Sequence, residues 1–263
     1  MHKLLIHVVN SNFLLGLSAA FLSMVFVNNP IDYIAWGVFV FSAVFFIYGL
    51  HRLIKWKFEQ LPIDWAIWQE KSVRLMLLLL GIQLFLLGYL AYTTFYNSFD
   101  VYSLLVVILT VGYLSPFQQF TIRKIPYTKA FFVASAWTFV LIIFPSSVIH
   151  DYPSDTYFRI GFFFYFAHLA ILSDIKDKEI DPREWRTFPN RFGVKNAKRG
   201  SFLLAFLAVV FFSVSVHVVD GAIIGALYLI SWLFIERCVV KSNYAYDNLI
   251  WLLAGLFFIF RLL

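Results

Sequence analysis

Charge is scarce in this chain. Only 14% of its 263 residues are Asp, Glu, Lys or Arg, and 61% are hydrophobic. A soluble domain carries roughly 25% charged residues, so the composition excludes a soluble globular protein and points to a polytopic membrane protein. Cysteine is nearly absent; Cys238 stands alone, which excludes an internal disulfide. Acid is missing along one stretch rich in base, with no Asp or Glu between Asp32 and Glu59. There is no internal repeat and no charge at mid-span, which argues against a transporter. No nucleic-acid motif occurs. The net charge of +6 fits the loop asymmetry of a membrane protein better than affinity for nucleic acid.

What the chain does have is apolar runs. A spanning helix needs about 20 apolar residues. Nine segments fit or approach this: about 5–27, 32–54, 74–95, 101–114, 130–148, 157–172, 202–218, 222–235 and 247–262. The first is read as a retained span rather than a signal peptide, because only Lys3 precedes it and Asn10 and Asn12 lie inside it. The loops at about 55–73, 115–129, 174–199 and 236–246 then fall on the side of the N-terminus. So does every Lys and Arg of the 21 except Arg159 and Arg261. The positive-inside rule makes that side cytoplasmic. The expectation is a single polytopic all-α domain over 1–263 in a bacterial-type inner membrane, with the N-terminus cytoplasmic and the C-terminus outside.

The most charged segment follows the sixth run and begins Ser173-Asp174-Ile175-Lys176-Asp177-Lys178-Glu179-Ile180-Asp181. At about 100° per residue, Asp177 lies roughly 60° to one side of Asp174 and Asp181 roughly 20° from it. Three carboxylates on one face repel unless cations hold them ionised. They form either a site for a hard cation such as Mg²⁺ or a set of ion pairs, with Lys178 at i+4 and Lys176 and Arg186 nearby. The end of the second run carries the opposite pattern, in which Tyr48, His51, Arg52 and Lys55 share one face. These cations are ordinary flanking charge, a direct anion site, or partners of Asp174 and Asp177. His168, about 120° around the helix from Asp174, reads as a packed or hydrogen-bonded intramembrane residue. The 32 Phe read as helix packing and lipid-facing surface.

Asp174 to Asp181, followed by Arg186-Thr187-Phe188-Pro189-Asn190-Arg191-Phe192-Gly193, resembles the second aspartate-rich motif of the UbiA superfamily of intramembrane prenyltransferases. Tyr113-Leu114-Ser115-Pro116, Arg123-Lys124-Ile125-Pro126-Tyr127-Thr128-Lys129 and Trp137 are similar to that family's basic loop between spans four and five. Nine spans match the family, so the resemblance covers nearly the whole chain. It implies a helical bundle around a central cavity, in which Mg²⁺ holds a prenyl diphosphate whose polyprenyl group passes to an acceptor. On that resemblance Asp174, Asp177 and Asp181 are the catalytic metal ligands. Arg123, Lys124, Lys129 and Arg186 meet the diphosphate. The family's first aspartate-rich motif is absent, and His51, Arg52 and Lys55 stand in its place as candidate diphosphate ligands. Glu184 and Trp185 also depart from the second motif's pattern. The alternative is a catalytically degenerate relative that binds isoprenoid or anionic lipid or scaffolds a membrane complex.

Overall fold

The computed structural model describes residues 12–27, 30–58, 63–93, 125, 127–149, 155–176, 178, 187–215, 225–226 and 228–230. Contacts group the chain into two units, Met1–Thr121 and Ile122–Leu263. Among the described residues five helical stretches are long and apolar enough to cross a membrane. The fourth and ninth expected spans, and most of the eighth, lie outside the described residues.

In the first unit, α1 is Phe13–Met24, α2 is Pro30–Phe58 and α3 is Ile63–Thr93. Pro30 suits the start of α2, where a missing N–H costs nothing and its fixed φ is already helical. α2 packs on α3 through Phe45, Met76 and Leu80, with Phe41, Leu53 and Leu79 around them. Much of the segment expected as a loop at 55–73 is therefore helical, since α2 runs to Phe58 and α3 starts at Ile63. Charge there marks helix ends that extend past the apolar run, not the end of the helix itself. Along α3, Leu78, Phe85 and Tyr92 are exposed, an apolar surface suited to lipid.

In the second unit, α4 is Thr128–Thr138, a π-helical turn covers Phe139–Ile143, and α5 is Phe144–Val148. The wide turn comes just before Pro145, whose ring would meet the carbonyl of Leu141 in a regular helix and whose nitrogen carries no proton. The backbone N–H of Phe144 reaches back to the carbonyl of Phe139 instead. α6 is Thr156–Lys176 and α7 is Phe188–Ser215. α6 packs against both α4 and α7. Without a water-driven effect between helices in lipid, close packing must hold them. Phe158, Phe162 and Phe166 follow at i, i+4 and i+8 on one face. Phe162 meets Phe212 edge-on at 5.0 Å, and Phe166 stacks on Trp137 at 5.6 Å. Gly161 lets Phe212 approach, since a Cβ there would lie 2.6 Å from its ring.

α7 starts much earlier than the apolar run that predicted it. Residues 188–199, expected as part of a loop over 174–199, are helical. Lys, Arg and Ala are good helix formers, so the charge did not end the helix. It is broken at Gly193, with φ 78° and ψ 158°, a backbone region open essentially to glycine alone. A Cβ at Gly193 would meet open space, so the constraint there is purely conformational. Gly193→Ala should lower stability by about 1–3 kcal/mol. Gly200→Ala, also in open space but within the helix, should be neutral or stabilising by up to about 1 kcal/mol. Unfolding in mixed micelles checks the contrast.

The far end of α6 is closed by Asp155. Its Oδ2 accepts the backbone N–H of Phe158 at 3.0 Å, and its carbonyl accepts that of Arg159 at 3.1 Å. The Ser215 hydroxyl, then the backbone amides of Phe158, Tyr157 and Thr156, hold the Asp155 carboxyl below the usual carboxylate range. A carboxyl depressed in the folded state stabilises above its unfolded value, and this is lost as pH falls through the folded value. The stability difference between the wild type and Asp155→Ala should therefore be full at pH 7 and shrink below about pH 4. Melting curves across pH test this, and a constant difference down to pH 2 contradicts it.

Candidate functional site

Three helix ends meet in the second unit: the start of α4, the end of α6 and the start of α7. Small residues allow the approach, with Ala130, Ala170, Ile171 and Ala197 buried together and Val133, Ile175, Phe188 and Leu204 packed around them. Tyr127 precedes α4 in a left-handed conformation, φ 64°, which tyrosine adopts rarely. Its ring stacks on Phe192 at 5.6 Å and meets Phe188 edge-on at 5.9 Å. These contacts fix the entry to α4 against the first turns of α7.

At this junction Lys129 Nζ lies 2.7 Å from Asp174 Oδ1, with side-chain exposures of 15% and 3%. Both charges occupy the helix end that disfavours them. Lys129 is in the first turn of α4, where the macrodipole is positive, and Asp174 is in the last turns of α6, where it is negative. Each placement costs about 0.3–1 kcal/mol, and burial adds a desolvation penalty. Helix stability does not account for these residues; the pair offsets a position chosen on other grounds. The pairing differs from the nearest options in sequence, Lys176 and Lys178, because it draws on a separate helix.

Thr187, from the tail of the aspartate-rich segment, is also buried. Its carbonyl accepts the backbone N–H of Arg191 at 3.0 Å. Its hydroxyl has no hydrogen-bond partner among the described residues. Deeper in the bundle, His168 is fully buried. Its Nδ1 lies 2.7 Å from Ser201 Oγ and 3.1 Å from the Ser201 carbonyl, and Ser201 Oγ donates back to the His168 carbonyl at 3.3 Å. Tyr228 packs edge-on to its ring. His168 is thus the packed, hydrogen-bonded residue that its position predicts. Ser201 was not anticipated; it sits between the basic Lys198-Arg199 and the apolar run that begins at Phe202, where no signal marked it.

In the first unit, Arg52 Nη2 donates to Asn12 Oδ1 at 2.9 Å. Asn12 itself has φ 62° and accepts the Gly16 N–H through its carbonyl at 3.1 Å. Arg52 therefore anchors the start of α1. Asn12 was visible in sequence as a polar interruption of the first run, without its partner. His51 is half-buried on α2, and Lys55 lies in the same helix. Asp177, Asp181, Arg123, Lys124 and Arg186 fall outside the described residues. Carboxylate is the right donor type for a hard cation, but among the described residues no three His, Cys, Asp or Glu gather as a metal site. The site's described core is a carboxylate already compensated by an ammonium.

An all-helical integral membrane protein, with a buried charged pair where helix ends converge, is the class these features define. Neither a protein-family profile nor a curated protein matches the sequence. Solved structures do. The apo structure of a UbiA homolog from Aeropyrum pernix K1 is similar with a TM-score of 0.67 at 14% identity, over 97% of this chain and 99% of that one. A UbiA homolog from Archaeoglobus fulgidus bound to Cd²⁺ is similar with a TM-score of 0.66 at 18% identity, over 96% of this chain and 94% of that one. The chain has the fold of the UbiA homologues.

Removing one partner of a buried pair costs about 3–5 kcal/mol, whereas replacing both with apolar groups is often neutral. Lys129→Met should therefore be strongly destabilising and Asp174→Leu less so. The double variant should be more stable than the sum of the two losses. Denaturation of the purified protein measures the coupling, and strict additivity would show that the two charges act independently.

Proposed function

We propose that this chain is a UbiA-type membrane transferase that moves a polyprenyl group from a prenyl diphosphate to an acceptor. The reading rests on Asp174, a carboxylate buried at the end of α6 against Lys129. It opens the segment that resembles the family's second aspartate-rich motif, on a fold shared with UbiA homologues. The proposed architecture is nine spans around a central cavity in one polytopic domain, with the basic loops cytoplasmic in a bacterial-type inner membrane.

In this proposal the polar machinery belongs to the leaving group. Departure of diphosphate leaves negative charge on its oxygens and an allylic cation behind it. Groups that stabilise the oxygens more in the transition state than in the ground state speed the reaction. Lys129, Arg123, Lys124 and Arg186 are the cations assigned to those oxygens, together with His51, Arg52 and Lys55 in place of the missing acidic helix end. Asp174, Asp177 and Asp181 would hold a divalent cation. The Cd²⁺ in the Archaeoglobus homolog supports a divalent ion, and Mg²⁺ is the ion proposed here. Such an ion would neutralise charge on the diphosphate. For Lys129 to reach phosphate, its ammonium must be shared with Asp174 or released from it. It carries three donors, so sharing needs no large movement.

The Lys129–Asp174 pair also supports a second reading. A carboxylate already neutralised has less need of a metal, and Arg52 is already engaged by Asn12. A non-catalytic relative that binds an isoprenoid or anionic lipid fits these contacts. The two readings part in one experiment on the purified full-length chain, titrated with geranylgeranyl diphosphate with and without Mg²⁺. The transferase reading expects Mg²⁺-dependent binding that falls at least tenfold in Asp177→Asn. Binding that is indifferent to Mg²⁺ and survives Asp174→Ala favours the non-catalytic relative. No binding of any prenyl diphosphate rules out the transferase.

A further inference from the structure

Beyond the junction, α7 presents one continuous exposed stripe. Lys195, Arg199, Phe202, Phe206, Val210 and Val214 are all exposed and lie within an arc of about 120°. The stripe is cationic in its first turn and apolar afterwards. Arg191 and the aromatic Phe192, 48% exposed, extend the cationic end just before the Gly193 break. α7 contains no Asp or Glu in its 28 residues. Positive charge at this end is therefore not balanced along the helix itself. From Lys195 to Phe206 the rise is about 16 Å, close to the depth of one leaflet, about half of a 30 Å hydrocarbon core. A phospholipid laid along the stripe would put its headgroup beside Lys195 and Arg199 and its acyl chains along Phe202, Phe206 and Val210.

We infer that this stripe is a binding site for an anionic phospholipid, held lengthwise, with its phosphate between Lys195 and Arg199. Charge complementarity selects the anionic headgroup, and the matching length selects a lipid over a soluble anion. The stripe borders the Lys129–Asp174 junction through Phe192 but uses neither of its charges, and the inference stands whether or not the chain is a transferase.

The test uses the full chain in neutral detergent, titrated with phosphatidylglycerol, phosphatidylcholine or soluble glycerol phosphate, with thermal stability as the readout. Phosphatidylglycerol should raise the melting temperature at a concentration where the other two do not, and added salt should weaken the effect. Each basic residue near an anionic surface contributes about fivefold in affinity. The Lys195→Gln/Arg199→Gln pair should therefore raise the half-saturating lipid concentration by roughly 25-fold. The exposed basic residues Lys71 and Arg74 on α3 serve as a control, and Lys71→Gln/Arg74→Gln should leave it unchanged. Equal stabilisation by phosphatidylcholine, or an unchanged response in the α7 variant, overturns the inference. So does equal loss in both variants, which would mean general charge attraction, or saturation by glycerol phosphate alone, which would mean a phosphate site without a lipid.

Discussion

The second unit depends on how a buried carboxylate and a partly buried ammonium are kept together. Lys129 and Asp174 come from different helices, and neither helix would choose its own charge at that end. The compensation has to be made across the interface. That requires the start of α4 to approach the end of α6 closely enough for a 2.7 Å contact. Ala130, Ala170 and Ala197 supply the room, because a larger side chain at any of them would separate the backbones. Tyr127 then sets the direction in which α4 leaves the junction, through rings contributed by α7. Side-chain size, an unusual backbone angle and charge thus converge on one contact.

The same economy governs other polar groups described within the bundle. A side chain that cannot reach water is stabilised by a partner inside the protein, and in the following cases a neighbouring helix supplies it. Ser201 on α7 and His168 on α6 bond each other through side chain and backbone. Arg52 on α2 reaches the residue that opens α1. Arg159, near the start of α6, donates to the Ser146 hydroxyl at 3.0 Å. These contacts do what a hydrophobic core does in water: they distinguish one arrangement of helices from the others that packing alone would allow.

Much of the fold was legible because hydropathy reports directly on the medium. The apolar runs at 32–54, 130–148 and 157–172 each lie within a helical stretch, and the run at 74–95 is helical through Thr93. Their ends were less legible, since Lys and Arg both flank membranes and form good helices, and 188–199 looked like a loop for that reason. The left-handed Tyr127 had no signal, because nothing in its residue type favours that backbone. At the site, Asp174 and Lys129 were each identifiable as charged residues at helix ends. Their pairing was not, because helix-face arguments reach only a few residues along one chain. Arg52 and Asn12 were hidden from each other by the same limit. His168 was legible in kind, since a buried imidazole needs a partner, but not in which hydroxyl supplies it.

The π-helical turn before Pro145 acquires a meaning from the two polar contacts on either side of it. The rod from α4 to α5 is pinned to α6 twice, by Lys129 to Asp174 and by Ser146 to Arg159. From pin to pin the chain advances 17 residues along the rod but only 15 along α6. Two antiparallel struts fastened at both ends must match in length. The wide turn takes up chain without adding a full regular increment of rise, and Arg159, with its long side chain, reaches across what is left. The turn behaves as a length adjuster in a braced frame. A sequence with more residues than its span requires can keep both fastenings, and with them the position of Asp174.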